Sequence, residues 1–303
     1  MINDKTRELI QKAYELHQSG ILTTAEKLYN KLLEEQPEHI DALFLLGTLN
    51  LQRGHHDTAC TYFKKTLKLM PDHAIAYCNL GTALHESGKL DEAITSYNKA
   101  ISLKPDYADA HYNLGNALKE LGLLDKAADS YRQAILYRQD YADAYYNLGN
   151  VLKAQQKLNK AADSFKKAIT LNPNYAMAHC NFGSVLQELG KINEAIASYK
   201  IATILKPDYA MAYCNLGTAF QELGKIDEAI TIYKKVLSFK PNFVMAHCNL
   251  GSAFQESGLL NEAKTCYKKA IMLNPDHAMA YSNLGSILQE FGNIDDAIKN
   301  YDR

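Results

Sequence analysis

The chain has 303 residues, 47% of them hydrophobic, and its 33 lysines and arginines nearly balance 34 aspartates and glutamates for a formal net charge of −1. That balance excludes the basic footprint of a nucleic-acid binder. The six cysteines (Cys60, Cys78, Cys180, Cys214, Cys248, Cys266) form no Cys-x-x-Cys pair and point to a reduced, cytoplasmic setting. No apolar run reaches the length a membrane span needs, and the opening Met1–Glu8 carries charges of both signs rather than a secretion signal.

One period runs along the chain. Asn79, Asn113, Asn147, Asn181, Asn215, Asn249 and Asn283 stand 34 residues apart. Gly47, Gly81, Gly115, Gly149, Gly183, Gly217, Gly251 and Gly285 keep the same step. All seven prolines (Pro37, Pro71, Pro105, Pro173, Pro207, Pro241, Pro275) share one phase, which only Gln139 misses. A fixed step of this length means stacked repeats rather than separate globular domains. With the recurrent glycine at position 8, the repeats are 6–39, 40–73, 74–107, 108–141, 142–175, 176–209, 210–243, 244–277 and a partial 278–303.

Each repeat is expected to be two helices. The first begins after the Asp or Asn that follows proline (Asp72, Asp106, Asn174, Asp208), whose short side chain can cap free amides. A second glycine at position 15, such as Gly88, Gly190 or Gly224, supplies the left-handed residue that ends this helix. Asp91, Asn193 and Asp227 are expected to cap the second helix, and the proline at position 32 stops it. Positions 4, 7, 8 and 11 gather at about 340–80° on the first helix as a core stripe. Gly at position 8 and Ala at position 20 (Ala93, Ala127, Ala161, Ala195, Ala229, Ala263) let the two helices approach. Aromatics at position 24 (Tyr97, Tyr131, Phe165, Tyr199, Tyr233, Tyr267) fill the space left.

In chain order the repeats differ. The first has Lys12-Ala13 for the Leu-Gly pair, and its polar outer face suits an N-terminal cap. His55-His56 falls in the turn of the second and reads as a solvated loop. The fourth and fifth place Asp109 and Asp143 at position 2, Tyr112 and Tyr146 at position 5, Asn116 and Asn150 at position 9, and Lys119 and Lys153 at position 12. There too Gln139 replaces a proline and Gln156 a position-15 glycine, relaxing the turn chemistry over 138–158. The sixth to ninth instead carry Met177, Met211, Met245 and Met279, with Cys180, Cys214, Cys248 and Ser282, then Gln187, Gln221, Gln255 and Gln289. His111, His179 and His247 occupy position 4 and are expected to pack. The ninth breaks off inside its second helix, from which a longer protein, or a cover for that end, is expected.

The combination of proline, Ala, Tyr/Phe and Leu-Gly at this spacing resembles the tetratricopeptide repeat over essentially the whole chain. The resemblance implies an all-α fold, a single right-handed α-α superhelix of antiparallel helix pairs whose first helices line the inner groove. Positions 2, 5, 6, 9, 12 and 13, at about 120–240° on those helices, would form that groove. The unbroken position-6 asparagines could pair with peptide bonds whatever the side chains, since an amide has both donors and an acceptor. Repeats about 10 Å apart would meet an extended segment at roughly every third residue. The methionine strip offers an adaptable surface; the Asp/Tyr/Lys patch adds specificity.

Cys180, Cys214 and Cys248 should lie too far apart for disulfides or shared metal ligation and read as small groove-lining residues. No phosphate loop, nucleophile elbow or His-Glu-x-x-His motif is present, so no catalytic residue, metal or cofactor is expected. The expected partners are extended protein or peptide segments, not nucleic acid or membrane, with self-association left open. A second reading comes from the runs Tyr77–Gly81 and Tyr112–Glu120, and from the opening strings Ala13–His17 and Asp41–Gly47. They are similar to repeats of O-linked N-acetylglucosamine transferases, bacterial members for the opening, in which an asparagine ladder holds acceptor polypeptides ahead of a glycosyltransferase domain. That resemblance implies an acceptor-binding arm of a longer enzyme. A carboxylate clamp for chaperone C-termini would need cations at positions 2, 5 and 6. Beyond the first repeat position 5 is Phe, Cys, Tyr or Ser and the recurrent position-6 residue is Asn, so an acidic C-terminal peptide is not the expected ligand.

Overall fold

The computed structural model describes residues 4–303, Lys5 by its backbone alone, and these residues form α-helices joined by short turns. The first helices of the repeats are α1 (Asp4–Gln18), α3 (Ile40–Gln52), α5 (Ala74–Glu86), α7 (Ala108–Glu120), α9 (Ala142–Ala154), α11 (Ala176–Glu188), α13 (Ala210–Glu222), α15 (Val244–Glu256) and α17 (Ala278–Glu290). The second helices are α2 (Leu22–Glu35), α4 (His56–Leu69), α6 (Leu90–Leu103), α8 (Leu124–Tyr137), α10 (Leu158–Leu171), α12 (Ile192–Leu205), α14 (Ile226–Phe239), α16 (Leu260–Leu273) and α18 (Ile294–Tyr301). Two compact units divide the chain, the first ending at Val151 and the second beginning at Leu152. Within the first unit consecutive helices pack on one another from α1 to α8, and within the second from α10 to α18; first helices also touch first helices one repeat away, as α5 does α7 and α13 does α15.

The turn inside a repeat follows from one left-handed residue. In the first unit Gly88 has φ +74°, its N–H donates to the carbonyl of His85, and Lys89 N–H donates to that of Leu84. These paired bonds satisfy carbonyls that the end of α5 would otherwise leave open. In the second unit Gln156 makes the same turn with φ 59° and the same pair of bonds, to Lys153 and Leu152. The turn chemistry there is therefore kept, at the steric cost a side chain meets in this conformation.

The turn between repeats corrects the expected caps. Pro105 and Asp106 are the central residues of a reverse turn closed by Tyr107 N–H donating to Lys104 O, so α7 starts two residues after the aspartate. The capping position falls to the next residue: Nδ1 of His39, His73 and His277 accepts from the amides of Ala42, Ala76 and Ala280, while Tyr107, Tyr175 and Tyr209 give no side-chain cap. Likewise Asp91, Asn193 and Asp227 stand one residue inside their helices, not before them. There the carboxylates of Asp91 and Asp227 favour the helix dipole. Gln139 leaves its turn intact, with Tyr141 N–H donating to Arg138 O. His56 opens α4 instead of lying in a solvated loop.

The core of each repeat is the contact between its two helices. Tyr29, Phe63, Tyr97, Tyr131, Phe165, Tyr199, Tyr233 and Tyr267 are almost wholly buried, each removal from water contributing roughly 1.5–3 kcal/mol. The ring packs closely against the position-8 glycine, as two repeats show: a Cβ added to Gly81 would stand 2.6 Å from Tyr97, and one on Gly217 2.5 Å from Tyr233. The buried stripe is wider than positions 4, 7, 8 and 11. Position 3 (Ala42, Ala76, Ala110, Ala212, Ala246) and position 10 (Ala83, Ala117, Val185, Ala219, Ala253) are sealed completely, because the first helix also packs against adjacent repeats. His111, His179 and His247 pack at position 4 as expected, each with Nε2 donating to the carbonyl of the proline six residues earlier.

Two measurements follow. Gly217→Ala should lower the unfolding free energy by about 1–3 kcal/mol, because the aromatic floor cannot retreat; an unchanged urea midpoint would show that it can. Gln156→Gly should raise it by roughly 1 kcal/mol by relieving the left-handed strain, and a lowered midpoint would contradict that account.

Candidate functional site

In the first unit Asn113 and Asn147 turn toward the preceding repeat. Asn113 Nδ2 donates to Thr82 Oγ1 at 3.4 Å and contacts Cys78 Sγ at 3.8 Å. Asn147, buried, donates to Tyr112 Oη at 3.0 Å and to Asn116 Oδ1 at 3.1 Å. Asn116 Oδ1 also accepts from Tyr131 Oη at 2.8 Å, so the α7 face is linked to the core ring of the same repeat. Asn79 and Asn113 are half-buried, as are Tyr112, Asn116, Lys119, Tyr146 and Asn150, while Asp143 is exposed.

Asp109 has an unforeseen partner. Arg138, the residue that ends α8, clasps it through two nitrogens at 2.8 Å each. Tyr141 Oη donates to the same carboxylate at 3.1 Å, and the guanidinium lies 4.5 Å from the Tyr141 ring centre. Tyr141 in turn packs on Tyr112, with ring centres 4.8 Å apart. The bidentate pair holds the Arg138 proton more firmly than usual. The Asp109 charge is thus compensated within the protein. The signal was available: Arg138 occupies a slot filled by Gln, Met, Lys or Asn in the other full repeats, just before the missing proline.

In the second unit the methionines lie open, Met279 most of all, with Met177, Met211 and Met245 following. The cysteines do not line a groove. Cys180, Cys214 and Cys248 are buried in the seam between first helices, where Asn215 Nδ2 approaches Cys180 Sγ at 3.7 Å. Burial pushes the Cys214 thiol up to about 12 and that of Cys248 to about 11, so neither forms a ready thiolate. Asn249 donates toward Thr218 Oγ1 at 3.5 Å and the Tyr233 hydroxyl, and Asn283 toward that of Tyr267. Asn181, Asn215, Asn249 and Asn283 all remain half-buried.

Position 12 joins core to rim. The Tyr233 hydroxyl donates to Gln221 Oε1 at 2.6 Å, and Gln221 Nε2 donates onward to Glu256 Oε1 of the next repeat at 2.8 Å. Tyr267, Gln255 and Glu290 repeat the relay, as do Tyr199, Gln187 and Glu222. Lys153 takes the glutamine's place in the fifth repeat, bonding Glu188 at 2.9 Å and Ser184 at 2.6 Å. In the first unit His85 meets Glu120 at 2.8 Å in the same way. The position-13 glutamates were not among the expected site residues, although their recurrence was visible. Ser184, Gln187, Glu188, Tyr199, Asn215, Thr218 and Glu222 surround a recess of 320 Å³ on this face.

Among the described residues no cluster of three His, Cys, Asp or Glu side chains stands close enough to hold a metal, and no helix is long and apolar enough to cross a membrane.

A family model described as TPR repeat matches residues 81–122, 115–156, 183–224 and 219–258. Tetratricopeptide repeat models match 142–175 and 244–277, and 164–197 and 266–299. A model for subunit 3 of the anaphase-promoting complex matches 19–100. No curated protein matches the chain. Among solved structures, YrrB, described as a TPR protein with an unusual peptide-binding site, is 27% identical over 61% of this chain and 95% of its own, with a TM-score of 0.55. MamA is 30% identical over 54% of this chain and 95% of its own, with a TM-score of 0.52. A chain of the Cut9–Hcn1 hetero-tetramer, 19% identical with a TM-score of 0.63, covers 92% of this chain against 55% of its own and shares the fold. With stacked helix pairs and family models covering half its length, the chain belongs to the tetratricopeptide repeat family.

Proposed function

We propose that this chain is a scaffold that holds extended polypeptide segments along the faces of its first helices, in each unit separately. The observation that carries the reading is the setting of the position-6 asparagines. They are half-buried with amides oriented by neighbouring repeats, as in Asn113 to Thr82 and Asn249 to Thr218. A side-chain amide has two N–H donors and a carbonyl. In Asn113 and Asn249 the stack is met through the amide nitrogen, which fixes the group and leaves the carbonyl oxygen to accept from a peptide N–H, and an oriented amide loses little freedom on binding. Asn147, the buried one, serves the stack first. The exposed Met177, Met211 and Met245 give an adaptable apolar strip for the segment's side chains. YrrB, similar over three fifths of this chain, is itself described as having a peptide-binding site.

The finer alternative, an acceptor-holding arm of a longer O-GlcNAc-type glycosyltransferase, uses the same asparagines and is supported by the repeat strings at 77–81 and 112–120. It differs only in its ligand, the acceptor polypeptides of such an enzyme.

The test uses a permanently unfolded polypeptide, such as a reduced and carboxymethylated globular protein, as probe. Changing Asn181, Asn215 and Asn249 together to Ala should weaken its capture by at least about tenfold, since each lost bond is worth about 1 kcal/mol. Met211→Ala with Met245→Ala, at exposed positions, should also weaken it while leaving the unfolding midpoint in place. Unaltered capture by the folded asparagine variant would sink the proposal.

A further inference from the structure

Of the second helices from α2 to α16, α12 alone has an apolar residue at outward position 26, although position 29 is apolar on α8 (Leu136) and α16 (Met272) as well. The outward positions 22, 26 and 29 are Thr95, Lys99 and Ser102 on α6, Asp163, Lys167 and Thr170 on α10, and Thr231, Lys235 and Ser238 on α14. On α12 the same slots hold Ala197, Ile201 and Ile204, the two isoleucines 41% and 75% exposed. Their i, i+4, i+7 spacing draws an apolar seam along the helix, the pattern by which one helix packs on another. Beside the seam lies a groove of 710 Å³ walled by α12 and α14 and floored by α13. Ile204, Pro207, Tyr213, Leu216, Phe220 and Ile232 supply its apolar surface. Its walls are second helices, and the α13 residues of its floor are positions 4, 7 and 11, not the position-6 asparagine.

The groove's two lysines and two carboxylates are segregated along its length. Lys200 enters from the α12 wall with its ammonium 5.7 Å from the Phe220 ring centre, and Lys235 from the α14 wall, 4.7 Å from that of Tyr213. The two cations therefore flank the aromatic floor from opposite sides. The carboxylates of the groove, Asp227 and Glu228, are confined to the first turn of α14, about two turns from Lys235.

We propose that this outer groove docks an amphipathic helix of a partner protein, its apolar stripe laid on Ile201, Ile204 and Phe220 and carboxylates on both flanks reaching Lys200 and Lys235. The occupant is helical because the seam has helical spacing and the walls are two helices side by side. It is acidic because lysines bound the floor on both sides, and a cationic helix would bring like charge against them.

The experiment compares two synthetic amphipathic helical peptides with one leucine stripe, flanked by glutamates in one and by lysines in the other. Fluorescence anisotropy should show saturable binding of the acidic peptide, at least about tenfold tighter than the basic one. Ile201→Lys with Ile204→Ser, which gives α12 the residues α14 carries at these slots, should abolish binding without moving the helical signal or unfolding midpoint. Lys200→Glu with Lys235→Glu should reverse the preference between peptides. Equal affinity for both peptides, no saturable binding of the acidic one, or binding indifferent to the isoleucine changes would overturn the proposal. So would self-association of the free chain in sedimentation that the isoleucine variant removes, which would give the face to a second copy.

Discussion

The structure depends on one close contact, an aromatic ring laid against a glycine between the two helices of a repeat. Tyr233 over Gly217 and Tyr97 over Gly81 leave no volume for even a methyl group. Because the glycine removes the first helix's side chain at its point of nearest approach, the helices pack with backbone against ring. The completely buried alanines at positions 3 and 20 extend that closeness, since any larger side chain would wedge helices apart. Within a repeat the ring itself fills the space between the helices. Whatever the chain recognises must be met on the surfaces of helices.

The period made most of the fold legible. Glycine, alanine and aromatic slots recur so strictly that helix pairing, the left-handed turns and the core rings could be read directly. The caps could not. Asp106 and Asp91 are good capping residues by type, yet the proline turn absorbs the first and the helix begins before the second. Type alone does not say which of three consecutive residues closes a turn.

The candidate site was legible as a set of positions but not as a set of bonds. Angular projection places positions 5 and 6 on the side of the helix away from the core, yet Cys214 is sealed and Asn147 buried. A wheel drawn for one helix omits the next repeat, which covers both sides of each first helix and leaves only a narrow strip open. Asp109 shows the same limit: its partner Arg138 is 29 residues away and meets it only because the repeat folds back on itself. The α12 seam is hidden in the sequence for a different reason. A period carries no signal for a helix whose outward residues fail to recur, and Ile201 is informative only against the Lys or Gln at its slot in the other second helices from α2 to α16.

The tyrosine–glutamine–glutamate relays have a consequence of another kind. In the second unit a hydroxyl in the core of one repeat is tied through a side-chain amide to a carboxylate of the next. A load applied at the rim, by a segment pulled against Glu256, passes through Gln221 to Tyr233 and so to the least compressible contact of the repeat. Phe165 has no hydroxyl, so that line of force is absent from the fifth repeat, where Lys153 grips Glu188 and Ser184 directly. Stiffness under tension should therefore vary from repeat to repeat with the residues at positions 12 and 24 together.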